Sequence, residues 1–365
     1  MENKKLKVAI SHGDINGIGY EILLKTFAEA SILDLFTPVI YGSAKVAAYY
    51  RKTLELDLES WNQVSSAAEA VEGRVNLVNC IPEDAKVEMG VFSPQAGTYA
   101  IKALDMAIQA VKQGDADVLV TMPINKAAMP QDIFPYKGHT EYLQAQAGIE
   151  GEDALMILAQ DKLRTALVTM HEPIARVPSL ITREQILDKL KAFDRSLRMD
   201  FGIVRPRIAV MALNPHAGDS GLIGTEESDT IRPTVQEAEE QGLLVFGPYA
   251  ADGFWGSDMA LHFDGILSMY HDQGLIPFKT LCMDRGVNVT AGLSIVRTSP
   301  DHGTGFDIVG KGEASPDSFR AAIYQAIDIY RSRASWRSAT RNPLRKSYFE
   351  RGNDNEKLPQ TEDEH

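Results

Sequence analysis

Short apolar runs alternate with longer amphipathic stretches along the chain. Leu6 to Ile10 reads as a buried strand, followed by a Gly-rich loop and a helical pattern from Tyr20 to Ala30. Thr37 to Tyr41 is a second strand, ending at Gly42. Ser43 to Leu54 is helical in pattern, with Ser43 placed to cap it. Thr98 to Gln113 carries Ile101, Leu104, Ile108 and Val111 on one face of a helix. Asp117–Met122, Thr165–Met170, Ile208–Leu213 and Gly265–Tyr270 are further strands. Helical stretches at Arg183–Leu197 and Thr230–Gln241 fall between them. Strands alternating with helices predict an α/β fold with a mostly parallel sheet. The stretch from Asn342 to His365 is polar and charge-rich without periodicity, and is expected to be a mobile tail.

Composition narrows the function. The chain has 365 residues, enough for one large domain or two ordinary ones. Lys plus Arg number 37 and Asp plus Glu 50, a formal charge of −13. That balance argues against nucleic-acid binding, which needs clustered cations, but leaves room for a local basic pocket. The two cysteines, Cys80 and Cys282, form no C-x-x-C pattern, so neither a disulfide framework nor a cysteine zinc site is expected. The N-terminus lacks a signal-peptide pattern, and no 18-residue apolar run occurs. The expectation is a cytoplasmic protein with no membrane partner.

Three histidines share an address. His171, His216 and His271 each follow a predicted buried strand, at spacings of 45 and 55 residues. Ligands of open α/β sheets bind at the carboxyl ends of strands. A lone histidine there is ordinarily a hydrogen-bonded loop residue. Three at equivalent positions strengthen the alternative of a metal site with room for substrate, while the loop-residue reading stays open on pattern alone. Asp252 and Asp272 are candidates for a further ligand or an orienting carboxylate.

His139 lies in GHTEYL, where Thr140 is placed to cap a helix beginning at Glu141. Free N–H groups at a helix start suit an anion. Lys279, Asn288 and Arg297 come after His271, nine residues apart from one another, and the polar loop SPDHGTG comes next. Cations beside a metal site suit an anionic substrate. The loop GDINGIG at Gly13–Gly19 is neither the dinucleotide fingerprint nor a P-loop.

Taken together, GDINGIGYEI, TMPINKAAM, GHTEYL, ALNPHAGDSGLIGTEE, GPYAADGFW, MYHDQGLIPFK and VNVTAGLSIVRTSPDHGTGFDIVGKGEASPDSF resemble the 4-hydroxythreonine-4-phosphate dehydrogenase family. The resemblance runs from about Lys7 to about Tyr330. It implies a fold like isocitrate and isopropylmalate dehydrogenases, with two α/β domains flanking an active-site cleft. Residues 1–125 with 285–341 would form the nucleotide side, and 126–284 the metal and dimer side. It implies a homodimer whose active site is shared between chains. His171, His216 and His271 would hold a divalent metal, zinc with magnesium or cobalt as substitutes. His139, Thr140, Lys279, Asn288 and Arg297 match substrate-binding positions. Asp252 matches an acidic residue near the metal, and Lys279 is the candidate base. His302, Gly303, Thr304 and Asp307 are candidates for contact with NAD.

The implied reaction is oxidation of 4-phosphooxy-L-threonine at C3 followed by decarboxylation to 3-amino-2-oxopropyl phosphate, in pyridoxal 5'-phosphate synthesis. A branch of the family acts instead on 4-phospho-D-threonate or 4-phospho-D-erythronate. A metal-dependent hydrolase and a non-catalytic binding protein are the readings from other classes. The chain departs from the family's usual pattern at Ile15-Asn16, where Pro-Ala is common, at Tyr20, where Pro is common, and at Gly305, where Ala is common.

Overall fold

The computed structural model describes residues 5–130, 132–136, 138–282 and 285–342. In chain order, the first half holds β1 (Leu6–Ser11), α1 (Gly19–Phe27), β2 (Phe36–Gly42), α2 (Ala44–Thr53), β3 (Asn62–Val64), β4 (Asn76–Asn79), α3 (Pro94–Gln113), β5 (Val118–Thr121) and α4 (His139–Ala147). Then come β6 (Leu155–Gln160), β7 (Leu163–Leu167), α5 (Val177–Leu180), α6 (Arg183–Met199), β8 (Arg207–Met211), α7 (Arg232–Glu240) and β9 (Leu244–Tyr249). The last elements are α8 (Ala251–Trp255), β10 (Gly265–Ser268), α9 (His271–Cys282), β11 (Val287–Ala291), β12 (Arg297–Pro300) and α10 (Asp317–Thr340).

Among the described residues these strands form one sheet of twelve, ordered β3-β4-β2-β1-β5-β12-β11-β6-β7-β10-β8-β9. Its two arms are parallel. In the middle, β11 runs antiparallel to β12 and β6, and β6 antiparallel to β7. Central parallel strands are buried on both faces, which is why they read as apolar runs. Along β1, Val8 and Ile10 pack with Ile22, Leu23 and Phe27 of α1 and with α10. Ala9 points the other way, toward α2 and α3. Helices therefore cover both faces, the expected α/β architecture. β12 pairs with β5, and α10 lies on β5, β12 and β11, so the C-terminal segment returns to the strands of the first half.

Local chemistry sets the element ends. The Ser43 side chain accepts from Val46 N at 3.3 Å, the expected cap. α3 begins four residues before its predicted start, because Ser93 caps it and Pro94 fits the first turn. α4 begins at His139 with Gly138 before it, and no side chain caps it. Thr140 thus lies inside the helix instead of capping it. α9 contains Pro277 and Gly274, which mask it in the sequence. A Cβ on Gly274 would sit 2.9 Å from both Leu167 Cδ2 and Ser268 Oγ, so only glycine lets α9 pack this closely on the sheet.

No helix among the described residues is long and apolar enough to cross a membrane. From residue 343 on, the expected charged tail lies outside the described residues.

Candidate active site

A cavity of about 410 Å³ opens where the middle of the sheet meets the loops after β5, β7, β10 and β12. It gathers His139, Thr140, His171, His271, Lys279, Asn288, Arg297, His302 and Gly303 from segments far apart in sequence. It also takes in Lys126 and Asp301, which the sequence reading did not single out.

One pole of the cavity is cationic. Arg297 is only 2% exposed. Its Nε and one terminal nitrogen donate to Thr121 Oγ1 at 3.2 and 2.7 Å, and the other terminal nitrogen donates to Thr290 Oγ1 at 2.9 Å. Among the described residues no carboxylate lies within ion-pair distance of it. Burial pulls its pKa down to about 9. A buried guanidinium held by neutral hydroxyls calls for an anionic ligand. Burial, then the charges of Arg297 and Lys126, hold His139 well below the usual histidine pKa, so its imidazole is neutral near pH 7.

Three buried polar atoms in this cavity have no hydrogen-bond partner among the described residues: His139 Nε2, Asn288 Oδ1 and His302 Nε2. Such atoms are rare in folded proteins and mark places where a ligand completes the bonding. His302 Nδ1 donates to the Gly303 carbonyl at 3.0 Å, which leaves Nε2 as an acceptor. Burial lowers the His302 pKa, favouring that neutral form.

The other pole holds His171 and His271, with ring centroids 5.8 Å apart. His271 Nδ1 bonds to Asp272 Oδ1 at 2.7 Å, so Nε2 faces away from that carboxylate. A carboxylate on one ring nitrogen is the usual arrangement of a histidine that offers the other to a metal. Two adjacent imidazoles fit a divalent cation as a partial ligand set. His216 does not join them. It is exposed, in the segment Pro215–Gly221. Asp252 is likewise exposed, on α8. Among the described residues no group of three metal-ligating side chains is assembled.

Between the poles, the Lys279 ammonium meets Asp301 Oδ1 at 3.0 Å. Burial pushes the Asp301 pKa up, and Lys279 opposes that shift.

Beyond Gly303 lie the remaining predicted cofactor residues. Thr304 and Asp307 do not line the cavity. The Thr304 carbonyl accepts from Ile18 N at 2.9 Å, which ties this loop to the Gly13–Gly19 loop. The family departures meet here. Asn16 accepts from Glu88 N and donates to the Val91 carbonyl, both at 2.9 Å. Tyr20 accepts from Ser43 N at 2.8 Å and stacks on Tyr50. The Tyr50 hydroxyl in turn reaches the Ile15 and Gly17 carbonyls.

The sequence held weak signals for the residues it failed to single out. Lys126 lies in TMPINKAAM, and Asp301 is adjacent to His302. Neither had a periodic or spacing signature of its own.

Comparison with known proteins identifies the family. The family model described as pyridoxal phosphate biosynthetic protein PdxA matches residues 34–326. A protein of Bacteroides thetaiotaomicron named 4-hydroxythreonine-4-phosphate dehydrogenase is 52% identical over 358 residues, 98% of each chain. One of the same name from Sulfurihydrogenibium is 40% identical over 328 residues, covering 90% of this chain and 99% of its own. The crystal structure of 4-hydroxythreonine-4-phosphate dehydrogenase from Klebsiella pneumoniae superposes with a TM-score of 0.76 at 32% identity, covering 90% of this chain and all of that one. With 293 consecutive residues under the family model, near-full-length relatives and a matching solved fold, the chain belongs to the PdxA family of pyridoxal phosphate biosynthetic proteins.

Proposed function

We propose that this chain oxidises 4-phosphooxy-L-threonine at C3 with NAD as acceptor, and that the product loses CO2 to give 3-amino-2-oxopropyl phosphate. The observation that carries the reading is the carboxylate-free, buried Arg297 facing a cavity with three unpartnered polar atoms. A small, doubly anionic, hydroxyl-bearing substrate satisfies both features.

Arg297, Lys279 and the N-terminal turn of α4, with His139 and Thr140, bind the anionic groups, and Lys126 adds a further positive charge to the same cavity. Asn288 Oδ1 and His139 Nε2 orient the polar groups between them. Neutral His139 adds no positive charge, so it discriminates by hydrogen bonding alone. Lys279, the candidate base, and Asp301 handle protons on the histidine side. His302 and Gly303, with Thr304 and Asp307 behind them, form the nucleotide side.

His171 and His271 would hold a divalent metal such as zinc, magnesium or cobalt, which supplies electrophilic polarisation of the hydroxyl under oxidation. NAD supplies the hydride acceptor. Two imidazoles are an incomplete set, and His216 is the expected third ligand from a partner chain. His216, Ala217, Asp219 and Ser220 all have left-handed backbone, with φ of 52°, 52°, 43° and 56°. That conformation costs non-glycine residues about 1–2 kcal/mol each, and such strain gathers where function requires it. Its exposure suits a segment that enters the cavity of a second copy, with Asp252 beside it. Residues 1–125 with 285–341 then form one wall of the cleft and 126–284 the other. The pairing of β12 with β5 supports this division.

The experiment is NADH formation by purified protein with 4-phosphooxy-L-threonine, with and without added divalent metal. Metal-dependent NADH with matching CO2 release is expected. Phosphate release without NADH would favour the hydrolase reading.

A further inference from the structure

Residues 81–92 join β4 to α3 with no helix or strand of their own. Among the described residues, each hydrogen bond from this stretch to the rest of the chain ends on Asn16. The Asn16 carbonyl accepts from Gly90 N at 2.9 Å. Its side chain accepts from Glu88 N and donates to the Val91 carbonyl, both at 2.9 Å. Asn16 is itself well fixed. It is 1% exposed, its N–H donates to Asp14 Oδ1, and the Tyr50 hydroxyl bonds to the carbonyls on either side of it, Ile15 and Gly17. Val91, by contrast, is 48% exposed. A buried, rigid amide thus anchors a stretch that has little burial to hold it.

The anchored stretch supports the loop after β12. A Cβ on Gly90 would lie 2.8 Å from the Phe306 carbonyl oxygen, and one on Gly310 would lie 2.6 Å from Met89 Sδ, so 89–90 and 306–310 are in close contact. At its start, the same loop bonds through the Thr304 carbonyl to Ile18 N at 2.9 Å. Residues 304–310 therefore rest on two supports, and Asn16 joins them. Its backbone belongs to the Gly13–Gly19 loop, and its side chain grips 88–91. His302 and Gly303, just before this loop, line the cavity.

We infer that Asn16 is a positioning residue for the nucleotide loop: its side chain fixes residues 88–91 against 304–310, so that the loop meets NAD already ordered. Alanine, common in the family at this position, offers neither donor nor acceptor, so the device belongs to this chain. A loop ordered before its ligand arrives spares the complex that cost. The effect therefore falls on NAD and not on the phosphorylated substrate at the Arg297 pole. This rests on the dehydrogenase reading, with NAD beside His302 and Gly303.

The test is Asn16→Ala in the full-length protein. Calorimetric titration with NAD alone should show Kd raised about fivefold or more, as loss of two neutral hydrogen bonds would give. KM for the phosphorylated substrate at saturating NAD should stay within about twofold of wild type. Ile186→Val, in the buried face of α6, is the control for general loosening: it should lower the thermal unfolding midpoint and leave Kd for NAD unchanged. An unchanged Kd in Asn16→Ala, or an equal rise in Ile186→Val, would overturn the proposal. A second measurement needs no cofactor. Ile308 N and Lys311 N donate to the Gly305 and Ile308 carbonyls within the loop. In cofactor-free Asn16→Ala, amide hydrogen exchange of the 304–311 peptide should be faster by about threefold or more, with α7 unchanged. Unchanged exchange at 304–311 would overturn the positioning role. Faster exchange there, together with a wild-type protein that has no affinity for NAD, would retain the positioning role and reject the nucleotide reading instead.

Discussion

The Arg297 guanidinium leans on the Thr121 hydroxyl through two nitrogens, at 2.7 and 3.2 Å. The contact joins the end of β5 to the start of β12 and fixes the plane of a buried cation without neutralising it. Arg297→Ala is expected to raise KM for the phosphorylated substrate on the order of a hundredfold, as loss of one partner of a buried charged contact does. Thr121→Val, which removes only the orienting hydroxyl, should cost about tenfold. Steady-state kinetics decide both, and an unchanged KM in Arg297→Ala would remove the residue from the anion pocket.

The loop bearing His216 is built on a carboxylate. Glu227 accepts from Leu213 N and Asn214 N at 2.8 and 2.7 Å, and from Asn214 Nδ2 at 3.0 Å. If His216 acts on a partner's cavity, His216→Ala and Lys279→Ala proteins should each be nearly inactive. Mixed and re-formed as hybrids, they should recover about a quarter of wild-type activity, because one site in each hybrid dimer is then intact. No recovery on mixing, with both variants folded, would place the two residues in the same site.

Acid should destabilise the fold through His12. This residue is fully buried, and burial lowers its pKa from 6.5 to about 4, with the Tyr99 carbonyl bond opposing. Above pH 6.5 both folded and unfolded forms are neutral, and the histidine contributes no pH dependence. Below it the unfolded chain takes a proton that the folded chain accepts only near pH 4. Stability should therefore fall across that window by about 3 kcal/mol from this group. His139 acts in the same direction. Urea unfolding at pH 7.5 and pH 5 should show a smaller acid loss in His12→Gln than in wild type. Equal losses would contradict this assignment.

Gly305 has φ +56°, and a Cβ there would lie 2.8 Å from Ile18 Cδ1. Gly305→Ala, although alanine is common in the family, should destabilise this chain by about 1–2 kcal/mol. Adding Ile18→Val should restore part of the loss, a coupling that thermal unfolding of the four proteins measures.

Much of this was legible because burial imposes patterns. The run at Leu6–Ile10 is apolar since β1 is covered on both faces, and strand-end histidines led to His171 and His271. The antiparallel centre was not legible. β6 and β11 are as long as strands the sequence revealed, but nothing local fixes which strands they pair with or in which direction. α9 stayed hidden behind Pro277 and Gly274, whose reason is close packing on Leu167 and Ser268. Thr140 was read as a cap because threonine favours that position, whereas Gly138 starts the helix. Lys126 and Asp301 gain meaning only from what surrounds them in space. His216 and Asp252 have addresses in the family pattern, yet a single chain does not bring them to the cavity.

The most direct test compares kcat/KM for NADH formation with 4-phosphooxy-L-threonine, 4-phospho-D-threonate and 4-phospho-D-erythronate on metal-loaded protein. The account predicts a preference of about a hundredfold or more for the amino substrate, since a site built to bond one polar group leaves buried partners unpaired when that group is changed. Preference for either sugar-acid phosphate would contradict the assignment to pyridoxal phosphate synthesis, and absence of NADH with all three would contradict the dehydrogenase reading itself.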